Sequence, residues 1–329
     1  MRGVTRLVGG SVDALLSLLT PAIADTVPGP KREALVAALN GVLGDHLAAS
    51  GNPLAITMAV RHAGQALPLP LTRAALAQAL PVAGGTLVLA VHGLCMNDLQ
   101  WRREGHDQAA ALATALGGSA LYLHYNTGLP VADNGRALAA LLPKLLKAWP
   151  VKVQRVVLLC HSMGGLVARS ALHQAPGRLR VDDLVCLGTP HHGAPLERAG
   201  HGVDLLLGHT PWLSRYAAPL ARLGRVRSAG ITDLRHGHCG AGDEAVPLPP
   251  KLRCYALAAT LDEQTGPSLK SRLLGDGLVP LDSALGRHRD PARTLAFAAD
   301  KQCVLPKLGH MALLSSPAVA AQLRAWLQG

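Results

Sequence analysis

The sequence predicts an α/β fold in which a mostly parallel β-sheet is covered by helices on both faces. Three observations carry this. Short, uninterrupted apolar runs recur from Gly84 onward, as expected of strands whose two faces are both hidden from water. Helix-like stretches lie between several of these runs, and strand–helix alternation is the pattern of a parallel sheet joined by helical crossovers. The chain has 329 residues, of which 49% are hydrophobic, enough to bury the core that such a sheet requires.

Residues 1–83 read as a helical N-terminal extension rich in Ala and Leu, broken by Pro21, Pro28 and Pro30 early and by Pro68 and Pro70 late. Val12, Leu15, Leu16 and Leu19 recur at helical spacing and predict an amphipathic helix. Arg2, Arg6 and Ala22-Ile-Ala24 also suit an export signal, although Asp13 interrupts its apolar centre.

Residues 84–329 form the predicted α/β domain. Strands are expected at Thr86–Val91, Ala120–Tyr125, Arg155–Cys160, Asp183–Leu187, Leu252–Leu257 and Thr294–Ala298, with helices near 103–116, 134–148, 163–175 and 317–328. Residues 191–250 break the alternation. They are rich in Gly, Pro, His and Arg, include the apolar run Leu205-Leu206-Leu207, and read as a lid or cap insertion.

Composition narrows the function. The formal charge of +11 is scattered, without a dense Lys/Arg run, and aromatic residues amount to 3% with a single Phe. Stacking platforms for nucleic acid need aromatics, so no nucleic-acid partner is expected. No uncharged run reaches the roughly 18 residues of a membrane span; peripheral membrane contact through the N-terminal helices or the lid is the expected alternative. The six cysteines form no C-x-x-C pair, so zinc-ribbon and thioredoxin-like readings fail. Cys160 and Cys186 fall in apolar strand-like runs, where a free thiol acts as a small hydrophobe, and a reducing compartment is expected. The expected location is therefore cytoplasmic, or exported if residues 1–24 are a signal peptide. His191-His192 and His236-Gly-His238-Cys239 contain metal-ligand residue types without the spacing that completes a tetrahedral set. No metal is predicted.

Four motifs carry chemistry. Cys160-His-Ser162-Met-Gly164-Gly165 joins a buried strand to a helix beginning Leu166-Val-Ala-Arg. A sharp strand-to-helix turn lifts a serine hydroxyl above the sheet and aims the helix's first N–H groups at a developing anion. Cys160 occupies a position where such turns usually have glycine. His92-Gly93-Leu94 follows the first clear strand; the backbone N–H groups of Leu94 and Met163 are the expected oxyanion donors. His92, Gly93, His161 and His192 are expected to shape the substrate site. Gly275-Asp276-Gly277 supplies the carboxylate expected to orient the base, ahead of Asp243, Asp262, Asp282 and Asp290. Gly309-His310-Met311 supplies the base. The order Ser162, Asp276, His310 is that of the α/β-hydrolase fold.

Leu159-Cys-His-Ser-Met-Gly-Gly-Leu-Val167, Leu187-Gly-Thr-Pro-His-His-Gly-Ala194 and Gly275-Asp-Gly-Leu-Val-Pro280 together resemble the bacterial esterase/lipase family and are similar to its inositol-deacylase-like branch. Tyr125-Asn-Thr-Gly128 and Asn134-Gly-Arg136 fit the same resemblance, which spans about residues 84–329. It implies ester hydrolysis without a metal or organic cofactor, on a small-molecule or lipid ester. A thioesterase, amidase or acyltransferase would share the acyl-enzyme chemistry, and a catalytically inactive binding protein could keep the scaffold.

Overall fold

The computed structural model describes residues 29–195, 228–240, 242–263 and 275–328. The amphipathic stretch at residues 12–19, the signal-like segment, the run at 205–207 and most of the expected lid lie outside them.

In chain order the described elements are α1 (Pro30–Ala49), β1 (Ala59–His62), β2 (Gln65–Ala66), α2 (Arg73–Ala79), β3 (Thr86–Val91), β4 (Arg102–Arg103), β5 (His106–Asp107), α3 (Gln108–Ala115), β6 (Ser119–His124), α4 (Val131–Ala148), β7 (Arg155–His161), α5 (Met163–Gln174), β8 (Asp183–Leu187), α6 (Ala229–His236), β9 (Arg253–Ala259), α7 (Leu281–Ala284), β10 (Gln302–Leu305) and α8 (Pro317–Gln328). Eight strands form one sheet in the order β10-β9-β8-β7-β3-β6-β1-β2. The run from β10 to β6 is parallel; β1 and β2 add an antiparallel edge.

Side-chain alternation explains why the central strands read as continuous apolar runs. Leu87, Leu89 and Val91 of β3 join Val156, Leu158 and Cys160 of β7 in one core, which α1, α4 and α5 cover through Leu39, Leu142 and Val167. Val88 and Ala90 join Val157 and Leu159 in a second core on the opposite face, covered by α3 and α8 through Leu112 and Leu323. Successive residues thus point into different cores, and both are buried.

Asp183 ties the sheet's lower end together. It is fully buried and accepts from Arg155 Nε and Arg253 Nε, each at 2.7 Å, on the strands either side of β8. Side-chain caps fix helix starts: Asp107 accepts from Ala110 N–H at α3, and Ser228 accepts from Ile231 N–H at α6.

Two expectations are corrected. The N-terminal extension is not wholly helical, because β1 and β2 lie within it and extend the sheet. The polar sequence of β1, Ala59-Val-Arg-His62, hides a strand with only Val60 buried. The last strand is β10, not Thr294–Ala298. That segment alternates as a strand does, but Phe297 N–H donates locally to Leu295 O at 2.9 Å, leaving the ladder to Gln302–Leu305.

Candidate active site

The end of β7 sets the geometry. Ser162 sits between β7 and α5 with φ +53° and ψ −125°, a conformation costly for any residue with a Cβ. Its N–H donates to Leu187 O at 2.9 Å, which anchors the turn to the end of β8. Gly164 is required next: a side chain there would collide with the carbonyl of Val91, so only glycine lets α5 start against the end of β3. Cys160 is fully buried and packs inside the first core. A small apolar side chain is thus accommodated where the sequence pattern favours glycine.

His310 and Asp276 meet on the other side of Leu187–Gly188. His310 Nδ1 donates to Asp276 Oδ2 at 2.7 Å, and both side chains are buried. The other carboxylate oxygen accepts from Leu278 N–H at 3.0 Å and Val279 N–H at 2.8 Å. The backbone adds a second tie, His310 N–H to Asp276 O at 3.0 Å. An ionised carboxylate only accepts, so the ring proton lies on Nδ1 and Nε2 carries the lone pair. His310 Nε2 is buried and has no partner among the described residues. A Cβ at Gly188 would lie 3.1 Å from Asp276 Oδ2 and 3.2 Å from His310 Cε1. Ser162 and the His310–Asp276 pair therefore grip the same Leu187–Gly188 step.

The loop after β3 covers Ser162. A Cβ on Gly93 would lie 3.0 Å from Ser162 Cβ and 3.3 Å from His161 Nδ1. Gly93 O accepts from His92 Nδ1 at 2.9 Å and from Met96 N–H at 3.3 Å. In a trans peptide the following N–H points the opposite way, so Leu94 N–H is turned away from those two donors. Among the described residues neither Leu94 N–H nor Met163 N–H has an acceptor.

His92 is completely buried, stacks on Tyr125 at 4.4 Å, and burial pulls its pKa down to about 3. It is a neutral donor to the loop, while Tyr125 Oη donates to its carbonyl at 2.7 Å. His161 is also buried and held neutral by burial; its ring donates to His310 O at 3.2 Å. His92 and His161 thus brace the loop and the His310 backbone from behind. His192 lies elsewhere, on the wall of a cavity whose lining contains none of Ser162, Asp276 and His310.

Several contributors escaped the sequence reading. Cys95, with φ +59°, is anchored by Thr127 Oγ1, which accepts its N–H at 3.2 Å. Gly41 of α1 packs against Cys95 with no room for a side chain, so the extension buttresses the loop. Asp98, almost fully buried, accepts from Arg61 at 3.0 Å and lies 3.2 Å from His124 Nδ1, tying the same loop to β1 and β6. A lone Asp after a strand, an Arg on a short strand or a Gly within a helix carries no spacing signal. Among the described residues no group of three His, Cys, Asp or Glu side chains is arranged to hold a metal. All six cysteines are free, and no helix among the described residues is long and apolar enough to cross a membrane.

The family of PGAP1-like alpha/beta domains matches residues 82–240, a span that contains β3, Ser162 and α5. No curated protein sequence matches the chain. In structure it is similar to a Bacillus licheniformis lipase in mature form, at 22% identity and a TM-score of 0.48, over 75% of this chain and 92% of that one. An α/β-hydrolase enzyme from the metagenome of lagoon sediments at Mar Chica, Morocco, is similar at 21% identity and 0.44 over 75% and 92%. A Pyrococcus furiosus esterase is similar at 15% and 0.43 over 74% and 81%.

Proposed function

We propose that this chain, whose sheet is mostly parallel and whose residues 82–240 match the family of PGAP1-like alpha/beta domains, is a serine hydrolase of the α/β-hydrolase fold that cleaves carboxylic esters through Ser162, His310 and Asp276. The observation that supports this best is the state of His310. Its Nδ1 proton is committed to Asp276, and its buried Nε2 lone pair has no partner among the described residues.

In this reading His310 Nε2 takes the proton from Ser162 Oγ as the oxygen attacks the acyl carbon. Asp276 holds the tautomer and steadies the imidazolium that forms. Charge developing on the carbonyl oxygen is met by Leu94 N–H and Met163 N–H, the latter at the positive end of α5. His310 then gives its proton to the leaving alcohol, and the acyl group stays on Ser162 as an ester. A water molecule, deprotonated by the same His310, attacks that ester. The acid leaves and the Ser162 hydroxyl is restored.

No organic cofactor or metal has a role in this sequence of steps. A small-molecule or lipid ester is the proposed substrate class. Peripheral contact with a membrane through the N-terminal extension or the 191–250 insertion, and a cytoplasmic location, go with the lipid version of the proposal.

Labelling with a fluorophosphonate, followed by mass spectrometry, tests the assignment. The expected adduct is on Ser162, absent from Ser162→Ala. Turnover of a chromogenic ester by Ser162→Ala should fall by a factor on the order of 10^6. Folded wild-type protein that takes no adduct, or a Ser162→Ala variant that retains turnover, refutes the proposal.

A further inference from the structure

On the far side of α5 from its first turn, a cavity of about 750 Å³ opens between α5, the loop after β8, the C-terminal end of α6 and the segment leading to β10. Arg169, His191, His192, His236, His238 and Arg293 line it. Arg169 lies seven residues beyond Ser162 on the helix that begins at Met163.

Arg169 is only 3% exposed, and no carboxylate among the described residues pairs with it. Its Nη1 donates to His191 Nδ1 at 3.3 Å and its Nη2 donates to Val246 O. Its Nε is buried without an acceptor among the described residues. A guanidinium can only donate. His191 Nδ1 must therefore be the accepting nitrogen, which puts the ring proton on Nε2. That nitrogen, on a residue 2% exposed, also has no partner among the described residues. Burial and the neighbouring Arg169 hold His191 well below its usual pKa, so the ring stays a neutral donor.

One corner of the cavity wall thus carries a buried positive charge and two buried N–H donors, Arg169 Nε and His191 Nε2, with no acceptor for either N–H among the described residues. Leaving such groups unmatched is expensive. The carboxylates on the same wall are committed at the rim: Asp243 pairs with Arg293 at 2.7 Å and lies 3.7 Å from His238, and Glu244 lies 3.4 Å from His173. A metal ion does not suit the corner, because His191 has one nitrogen accepting from Arg169 and the other protonated. An anion with several acceptor oxygens does, since guanidinium and imidazole N–H groups can share its oxygens.

We propose that the Arg169–His191 corner of this cavity binds a phosphate group. The neighbouring imidazoles of His236 and His238 offer further donors to a tetrahedral dianion, while His192 has committed its Nε2–H to Gly286 O at 3.0 Å. The same chemistry serves free phosphate, a soluble phosphomonoester or an anionic lipid headgroup. The cavity is separate from Ser162, so the proposal stands whether or not the ester-hydrolase reading does.

The test measures thermal unfolding of the full-length protein, and binding by calorimetry, with inorganic phosphate, glycerol 3-phosphate, short-chain phosphatidic acid below its micelle threshold, zinc ion, and sodium chloride at matched ionic strength. A ligand that binds only the native state raises Tm in a saturable manner. The expected result is saturable stabilisation by at least one phosphate compound beyond chloride, with affinity reduced at least about tenfold in Arg169→Gln. The three phosphate compounds distinguish the source: a response to phosphatidic acid alone identifies a lipid headgroup, and a response to inorganic phosphate a free ion. His191→Gln, which keeps an acceptor for Arg169, is the second variant should Arg169→Gln fail to fold. It should weaken phosphate while leaving ester turnover within about twofold of wild type, well inside the scatter of remote substitutions. Stabilisation no greater than that by chloride, undiminished binding in both variants, or a response to zinc alone overturns the proposal.

Discussion

His310 and His191 are both buried imidazoles with Nδ1 engaged and Nε2 without a partner among the described residues. They differ in what faces Nδ1. Asp276 accepts a hydrogen bond from His310 Nδ1 and leaves Nε2 with a lone pair, whereas Arg169 donates to His191 Nδ1 and leaves Nε2 with a hydrogen. The same side chain therefore becomes a proton acceptor in one place and a proton donor in the other. What the ring can do chemically is decided by its partner's capacity to donate or accept, not by the ring.

The comparison breaks most visibly at Asp276. In Asp276→Asn the side-chain amide can donate to His310 Nδ1, which drives the ring proton to Nε2 and turns His310 into the tautomer of His191. Turnover of a chromogenic ester should drop by about 10^4 with little change in KM, as expected when a triad imidazole is locked in the wrong tautomer. Thermal unfolding should change far less than rate. A variant that keeps more than a tenth of wild-type kcat would show that Asp276 does not set the tautomer.

Acid sensitivity sharpens the comparison from the stability side. Burial lowers the pKa of His92, His161 and His191, with His92 at about 3. All three are neutral in the folded chain, while the unfolded chain begins to protonate them below about pH 6.5. The folded state's advantage is therefore complete above that pH and is lost as the pH falls, for His92 down to about 3. With three such groups, stability should decline by up to about 4 kcal/mol per pH unit once the unfolded state is fully protonated. Chemical denaturation between pH 7 and 5 measures this; a flat profile would mean that these rings charge without unfolding.

Much of this arrangement was legible in the sequence. Wherever a strand is buried on both faces, its residues form an unbroken apolar run, and β3 and β8 fall on the expected residues. Ser162 and His310 stand out because glycines and strand ends surround them. Asp276 stands out by order along the chain, and the fold brings it to His310. The outer strands β1 and β10 were not legible: β10 has a partner on one side only, β1 is mostly half-exposed, and period and composition weaken together. The Arg169–His191 corner was not legible either. Arg169 reads as an ordinary helical arginine, and His191 as half of a histidine pair without metal-ligand spacing. Only the tertiary contacts reveal that one accepts from the other.

His191→Gln isolates one member of the comparison. The substitution removes a group that the unfolded chain protonates and the folded chain does not, so the slope of stability against pH below about 6.5 should become shallower by up to about 1.4 kcal/mol per pH unit. His92 and His161, which belong to the other neighbourhood, keep the rest.

A smaller effect is expected behind the loop over Ser162. Tyr125→Phe deletes the hydroxyl that donates to His92 O at 2.7 Å in a fully buried setting. The carbonyl is left without that donor, so the variant should lose about 1–3 kcal/mol of stability. His92 retains its own bond to Gly93 O, so the peptide that presents Leu94 N–H should stay oriented and kcat should fall by no more than about tenfold, the equivalent of 1.4 kcal/mol. Denaturant titration beside steady-state kinetics separates the two quantities. A collapse of kcat with stability intact would mean that Tyr125, through the carbonyl of His92, and not the His92 ring, holds the loop in register over Ser162.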